Sequence, residues 1–526
     1  MQTKIIIGSR GSDLALWQAN HVAEALLGHG YLVEIKIIKT RGDQIQHLGF
    51  DKMEGKGFFT KELEDALLAN EIDLAVHSCK DLSTEQPDGL GIGAIFSRES
   101  PADLLVIHPE ALDPAMPYQL KNKAVVGTSS IRRKNQLRWL RPDVNILDVR
   151  GNVPTRLQKL RDKQFDAILL AAAGIHRLGL LNDDFIFLEL NSLQMVPAPA
   201  QGALALQIRI NDEKIKIATT KLHQSTMADK VAAERAMLSY FQGGCQLPLG
   251  CLCEQAGSDF NLKISYSTDG SKAPMRVKVR GSNPLELSSM AHAILFSCKP
   301  CRVLISSAPE RYSQLVSSLI DNGFSIEQHS FIECLPLPKK VLNQAEWIYF
   351  NSPAAVEMMV REYAAYLIDK KLACAGEGTA IALNRLGYAY DYQGGDLDPE
   401  YAARDFLVQH TPEDVFLPVS NISLGTAKKI FSQHTIVTSE VIYETVSRPV
   451  LLKNKPDILV LTSPSQAHSY FSQYRDDGKT KYLVNGEKSR RAVLSYVSSD
   501  CVFMSENCHQ VSLLESIYQI CAHETH

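Results

Sequence analysis

The sequence predicts an α/β protein built from several lobes. Three observations carry that expectation. Apolar strands alternate with amphipathic helices through roughly the first 200 residues, and the same pattern restarts near residue 302. The total of 526 residues also exceeds what one hydrophobic core can organise.

The first strand, "KIIIG", runs through "SRGSD" into a helix whose Leu16, Ala19, Ala23 and Leu26 share one face, with Ser12 or Asp13 as N-cap and Gly28 and Gly30 as the stop. "EGKGFFTKELEDALL" lacks the spacing of a Walker loop and reads as a mobile loop, carrying Lys56 toward the cleft, that feeds a helix. "VHSCKDL" closes a further strand, and "KAVVG", "NILDV" and "DAILLAAAG" each lead through a polar loop into a helix. This alternation implies parallel layers, with the loops that follow the strands gathered at the carboxyl edge, where ligands bind. Arg10, Ser12, Thr128, Ser130, Arg132, Arg133, Arg150 and Arg156 fall in or just after those loops. Several sit at helix N-termini, where free N–H groups favour anions.

From about Asn261 to Leu295, "LKISYS", "RVKVRG" and a helix predict a small α+β domain. After "CKPC" a second α/β series begins with "RVLISS". In it, "YFNSPAAVEMM" and "VLTSPSQAHSYF" both read as a strand, a Ser-Pro turn and a helix start, a weak internal similarity that suggests two related lobes. "DDGKTKYLVNGEKSRR" reads as an exposed, mobile loop.

Composition narrows the function classes. A hydrophobic content of 45%, a charged content of 22% and a formal charge of −4 are those of a soluble globular protein with no global attraction to nucleic acid or membrane. No apolar run approaches the ~18 residues that span a bilayer. The N-terminus, "MQTKIIIGSR", is too short in apolar residues for a signal core, so a cytoplasmic protein is expected. Among eleven cysteines, only the pairs Cys251/Cys253 and Cys298/Cys301 resemble metal ligands. Neither has a second partner pair at zinc spacing, so scattered reduced thiols fit better and no metal is expected.

The densest charge lies between Ser130 and Asp162, where nine Lys or Arg face three Asp. Arg138, Arg141 and Arg161 fit a solvated helix face. Arg132, Arg133, Arg150 and Arg156 sit where their planar forks would clasp carboxylates or phosphates, which implies a polyanionic ligand. RNA fits less well, because Trp139 is the stretch's one aromatic residue for stacking. Asp81, beside Lys80, is either a turn residue or a carboxylate that stabilises developing positive charge or exchanges protons with an N–H. A His77–Cys79 nucleophile pair is disfavoured, since residues i and i+2 of a strand stand too far apart for a ready hydrogen bond. "GGCQLP" places Cys245 beside flexible backbone, as suits a thiol that something bulky must approach.

These residues carry a specific resemblance. "GSRGSDLALWQA", "KGFFTKELEDALL", "AVHSCKDL", "VGTSSIRR", "VRGNVPTRL", "AAAGIHRLGL", "PAPAQGALAL", "AAERAM" and "GGCQLPLG" occur in the order seen in porphobilinogen deaminases, over roughly residues 3 to 295. The resemblance implies two lobes like those of periplasmic binding proteins, residues 1–96 with 197–217 returning to them and residues 97–196. It also implies a small α+β domain over 218–297. A dipyrromethane cofactor would be held covalently by Cys245, and porphobilinogen units would add to it head to tail with loss of ammonia. Asp81 would stabilise the azafulvene cation and the pyrrole nitrogens. Arg10, Ser12, Arg150, Arg156 and Arg177 would clamp substrate carboxylates, and Lys80, Thr128, Ser130, Arg132 and Arg133 would contact the cofactor. Two departures stand out. Ala200 replaces a glycine and would be strained if that position needs φ > 0, and "KDLS" replaces "KDVP", which should relax the turn after Asp81.

Residues 298–526 resemble uroporphyrinogen-III synthases in "YFNSPAAV", "ACAGEGTAIALNRLG", "VIYETV" and "VLTSPSQA". The resemblance implies a two-lobed parallel-sheet region that closes hydroxymethylbilane to uroporphyrinogen III. Tyr443 would help hydroxyl departure or orient the substrate, and Ser352, Thr379, Thr462 and Ser463 would line the cleft. Ser306-Ser307 stands where the family carries Thr-Arg, and the final Gly-x-x-Thr-Ala block is replaced by "YVSSDCVFMSENCHQV". The expected protein is a bifunctional, monomeric enzyme of porphyrin and heme biosynthesis, a transferase followed by a lyase, acting on small molecules without nucleic acid or membrane. The rivals are a deaminase with a silent C-terminal region and a two-lobed polyanion-binding protein.

Overall fold

The computed structural model describes residues 3–39, 60–114, 116–241, 247–308, 311–342, 344–395, 399–423, 425–507 and 509–523; Lys56 and Cys245 lie outside them. The chain divides into two units, Met1–Cys298 and Lys299–His526, both of mixed α/β structure.

In the first unit, β1 (Lys4–Ser9), β2 (Leu32–Ile37), β3 (Leu74–Ser78) and β4 (Leu90–Arg98) begin one sheet. A second sheet takes β5 (Asp103–Ile107), β6 (Val125–Gly127), β7 (Asn145–Leu147), β8 (Ala167–Ala171) and β9 (Ile186–Leu190). The chain then returns to the first sheet as β10 (Ala203–Arg209), giving the orders β2-β1-β3-β10-β4 and β7-β6-β8-β5-β9.

The sheets are mixed rather than parallel throughout. β10 runs antiparallel to β3 and β4, and β5 runs antiparallel to β8 and β9. Both strands enter directly from the other sheet, without the crossover helix that would turn the chain back into a parallel direction. In the first layer Ile5, Ile7, Leu74 and Val76 pack against Ala19, Val22 and Leu26 of the helix Asp13–Gly28. Ser12 is that helix's N-cap, its hydroxyl accepting from the Ala15 N–H. The buried face centres on Val22 and leaves Leu16 half-buried, a small rotation from the expected face.

Three antiparallel strands follow, β11 (Leu249–Ala256), β12 (Asp259–Tyr266) and β13 (Met275–Gly281), accompanied by the helices Ser225–Tyr240 and Pro284–Ser297. Cys251 and Cys253 are buried in β11, and burial pushes the Cys253 thiol up to about 12. Among the described residues no group of three His, Cys, Asp or Glu side chains has metal-site geometry.

The second unit opens with β14 (Arg302–Ile305) and β15 (Ser325–Gln328). It passes to β16 (Ile332–Pro336), β17 (Trp347–Phe350), β18 (Lys371–Cys374), β19 (Tyr392–Gln393), β20 (Asp414–Ser420) and β21 (Ile436–Ser447). It then returns with β22 (Ile458–Leu461), β23 (Lys481–Val484) and β24 (Val502–Met504). The two sheets read β15-β14-β22-β23-β24 and β16-β21-β20-β17-β18-β19. All strands of the first run parallel, whereas β16 is antiparallel to β21.

The internal similarity has matching geometry. Ser352 and Ser463 each follow a buried strand, adopt φ −158°, and cap a helix whose first turn carries proline. The stretch expected to be a mobile loop is instead β23 followed by the helix Glu487–Leu494. Its charged flanks conceal an apolar core of Tyr482, Leu483 and Val484, all buried.

Candidate active site

β3 ends in a three-residue 3-10 turn, Cys79–Asp81, which leaves Asp81 exposed and Lys80 half-buried. Burial pushes the Lys80 ammonium down, opposed by the charge of Asp81; Arg133, Asp103 and Arg132 also act on it. Neither Cys79 in the turn nor His77 on β3 is a nucleophile. Burial pushes the Cys79 thiol up to about 11, while His77 is spent on a 3.0 Å hydrogen bond with Gln207 Oε1.

Facing that turn is a charge cluster that sequence reasoning saw only in part. Thr128 is buried, its hydroxyl accepting from the Ser130 N–H, and Ser130 caps the helix Ile131–Leu140. The helix thereby presents Arg132 and Arg133 to the carboxylate of Asp103. Arg132 donates to both Asp103 oxygens at 2.6 and 3.2 Å, Arg133 donates to Oδ1 from Nε and Nη2 at 2.9 and 2.7 Å, and Gln201 adds an amide donor at 3.0 Å. Asp103 is fully buried. Burial by itself would raise its pKa, but the two guanidinium charges outweigh it and hold the carboxyl well below the ordinary range. Asp103 and Gln201 escaped notice because one opens an apolar strand and the other lies in a small-residue linker.

Arg156, near Arg133, donates from Nε to the Gly151 carbonyl; burial and then Arg133 push its guanidinium down to about 10. Arg150 is half-buried, and its carbonyl accepts from Lys159 at 3.2 Å. Arg10 is half-buried at the end of β1, and its charge helps lower His77. Arg177 is buried, donates to the Gly202 carbonyl at 2.6 Å and lies over the Trp17 ring. Its Nε has no hydrogen-bond partner among the described residues, and burial pushes it down to about 10, against the raising effect of Glu99. Arg138 is exposed, and Arg161 pairs with Asp184 at the surface. Arg141 departs from the expected solvated face. It is buried and donates to Asp143 and to the carbonyls of Pro117, Leu120 and Lys121, locking the loop beneath β6.

Two further features hold this site in place. Ala200 has φ +62°, so the departure from glycine does fall on a left-handed position. Its N–H donates at 2.7 Å to Glu234, a fully buried carboxylate that also accepts from Arg98 and from the Cys253 N–H. After Asp81, Ser83 replaces the family's proline, and its carbonyl accepts from Gln86 at 2.7 Å.

In the second unit, the Tyr443 hydroxyl lies 3.1 Å from Ser352 Oγ, where β21 meets the helix Pro353–Tyr363. Tyr443 is buried, and burial raises its phenol, which therefore stays protonated. Thr379 is buried in the first turn of the helix Glu377–Arg385. Thr462 donates twice to Ser306, from its hydroxyl to the carbonyl at 2.9 Å and from its N–H to Oγ at 3.1 Å. Thr462 is thus occupied in joining β22 to β14, and Ser463 in capping a helix.

Family comparisons agree with both halves. Residues 5–217 match the porphobilinogen deaminase dipyromethane cofactor binding domain and 228–289 the porphobilinogen deaminase C-terminal domain. Residues 313–503 match uroporphyrinogen-III synthase HemD. A porphobilinogen deaminase of Nitratiruptor sp. is 46% identical over 248 residues, covering 47% of this chain and 77% of the relative. Another, from Oceanobacillus iheyensis, is 40% identical over 296 residues, covering 56% and 94%. Among solved structures, the uroporphyrinogen-III synthetase of Helicobacter pylori is 13% identical, covers 42% of this chain and 99% of that one, and has a TM-score of 0.33. The chain belongs to the porphobilinogen deaminase family and carries a uroporphyrinogen-III synthase domain behind it, which makes it a bifunctional enzyme of tetrapyrrole synthesis.

Proposed function

We propose that the first unit joins four porphobilinogens into hydroxymethylbilane with release of ammonia, on a dipyrromethane attached to Cys245, and that the second unit closes the product to uroporphyrinogen III. The carrying observation is the desolvated cation cluster around Asp103. One buried carboxylate faces two buried guanidiniums, while burial lowers the pKa of Lys80 and Arg156 nearby, which both remain cations. Such cations gain most from carboxylates delivered into the cleft.

The residues fit the cofactor. Its acidic arms supply the anions that this surplus lacks, as do those of the incoming monomer, for which the buried Arg177 Nε is a donor with no protein acceptor among the described residues. Lys80, Thr128, Ser130, Arg132 and Arg133 would hold it. When bound, it supplies an electron-rich pyrrole terminus to which the first monomer joins. Arg10, Ser12, Arg150, Arg156 and Arg177 hold the acetate and propionate arms of the incoming monomer. Asp81, presented to solvent by its turn, stabilises positive charge on the monomer as ammonia leaves and accepts from its pyrrole N–H.

In the second unit, Tyr443 stays a phenol and donates a proton toward the departing hydroxyl, with Ser352 orienting it. A fused second domain raises the chance that the linear product is captured before it closes unaided. Intact-mass measurement tests the tether: the purified chain carries an added dipyrromethane mass that Cys245→Ser lacks. An unmodified, active wild type would sink the reading. Supplying hydroxymethylbilane and resolving the isomers tests the second half, where a product of type I alone would mean a silent domain.

A further inference from the structure

We propose that Arg235 is a positioning residue that holds the Lys80–Asp81 turn against the helix leading to the cofactor cysteine; the inference rests on the reading of Asp81 given above. The Arg235 guanidinium donates from Nη1 to the carbonyls of Cys79 and Leu82 at 3.3 and 3.0 Å, and from Nη2 to the Ser83 carbonyl at 2.6 Å. One side chain thus spans both ends of the turn that carries Lys80 and Asp81.

The turn needs outside support. It is only three residues long, its N-cap residue Ser78 makes no capping bond through its side chain, and its closing bond, from Leu82 N–H to the Cys79 carbonyl, is long at 3.3 Å. A proline after Leu82 would restrict the backbone there by itself; this chain has Ser83. The fork of Arg235 supplies the restraint instead, together with Gln86 at the same Ser83 carbonyl.

Arg235 is also well placed to transmit position. It continues a stripe of the helix Ser225–Tyr240 in which Met227 and Val231, at steps of four residues, pack with Cys79 and Leu82. The next residue back, Glu234, anchors Ala200 and β11. Five residues beyond Arg235 the helix ends at Tyr240, and the chain continues toward Cys245. Helix and turn are therefore registered through a single guanidinium.

The test uses the full chain with Arg235→Gln, Arg235→Lys and Asp81→Asn, reading cofactor content by intact mass, then kcat and KM for porphobilinogen per loaded molecule. Displacing a reacting group by about 1 Å can cost around 100-fold. Arg235→Gln should therefore lower kcat by about 10- to 100-fold with KM within about twofold, because the carboxylate-clamping arginines do not sit on the turn. Arg235→Lys, which keeps one donor group, should fall between Gln and wild type. An unchanged kcat, a change confined to KM, or an Arg235→Gln chain that cannot fold or load its cofactor would each overturn the positioning role. Asp81→Asn with full activity would instead overturn the reading of Asp81, whatever Arg235→Gln shows.

Discussion

The Oδ2 atom of Asp103 lies 2.6 Å from Nη1 of Arg132, with both side chains buried. A carboxylate placed there lets two adjacent arginines stand side by side without water, because it cancels one of their two charges and leaves the other for a ligand. Removing one partner of a buried charged set typically costs about 3–5 kcal/mol, since the remaining charges lose compensation. Asp103→Asn should therefore lower the melting temperature of the first unit and reduce the cofactor mass on the purified chain. Calorimetry and mass spectrometry of the same sample check both. The folded pKa is depressed, so this stabilisation is complete above about pH 4 and fades only as the pH falls toward the folded value. The variant should lose that part of the acid-unfolding slope and show no new pH dependence near neutrality.

Ala200 offers a prediction of opposite sign. An L-residue at φ +62° pays a conformational cost that glycine escapes, on the order of 1 kcal/mol. Ala200→Gly should raise the midpoint of chemical unfolding by an amount near that value, with the Glu234 hydrogen bond kept because it uses the backbone N–H. A loss of stability would mean that chain entropy outweighs strain at this position.

What the sequence disclosed follows from what physics writes locally. The twin Ser-Pro caps at Ser352 and Ser463 and the basic helix after Ser130 were legible because capping and charge act within a few residues. The antiparallel entry of β5 and β10 was not, since strand direction depends on which sheet the chain joins next. Asp103 and Glu234 were missed for a related reason. Each looks like an isolated acid in an apolar or helical run, and its partners Arg132 and Arg98 are brought to it by tertiary folding across 29 and 136 residues. Arg141 was misplaced because arginine spacing along a helix cannot show that loop carbonyls wait beneath it. The strand β23 was hidden by its charged flanks.

His77 should leave a signature in the acid range. Burial lowers its pKa to about 4, with the Gln207 hydrogen bond opposing and Arg10 assisting. The unfolded chain, titrating near 6.5, binds the proton more readily than the folded one between these values. Stability is therefore fully present above about pH 6.5 and declines as the pH falls toward about 4. His77→Gln should flatten that decline, read as a smaller drop in melting temperature between pH 7 and pH 4.5. An identical pH slope in the variant would show that His77 does not carry it.

Tyr443 and Ser352 allow the second domain to be tested apart from the first. The phenol is buried, is raised above its ordinary range and lies 3.1 Å from the Ser352 hydroxyl, with Ser420 a second hydroxyl neighbour, so it is a donor at neutral pH held between two serines. Tyr443→Phe removes only the hydroxyl and leaves the ring to fill the same space. If the phenol assists departure of the substrate hydroxyl, conversion of supplied hydroxymethylbilane to the type III isomer should slow by about 100-fold, the scale of a lost general acid. Uncatalysed closure to type I would then dominate the product, while porphobilinogen consumption by the first unit stays at the wild-type rate. Ser352→Ala removes both an orienting hydroxyl and a helix cap, so it should slow the same step less and also destabilise the second unit by about 1 kcal/mol. A Tyr443→Phe chain that forms type III product at the wild-type rate would leave Tyr443 a packing residue, since its ring still sits in the core formed with Ile442 and Phe416.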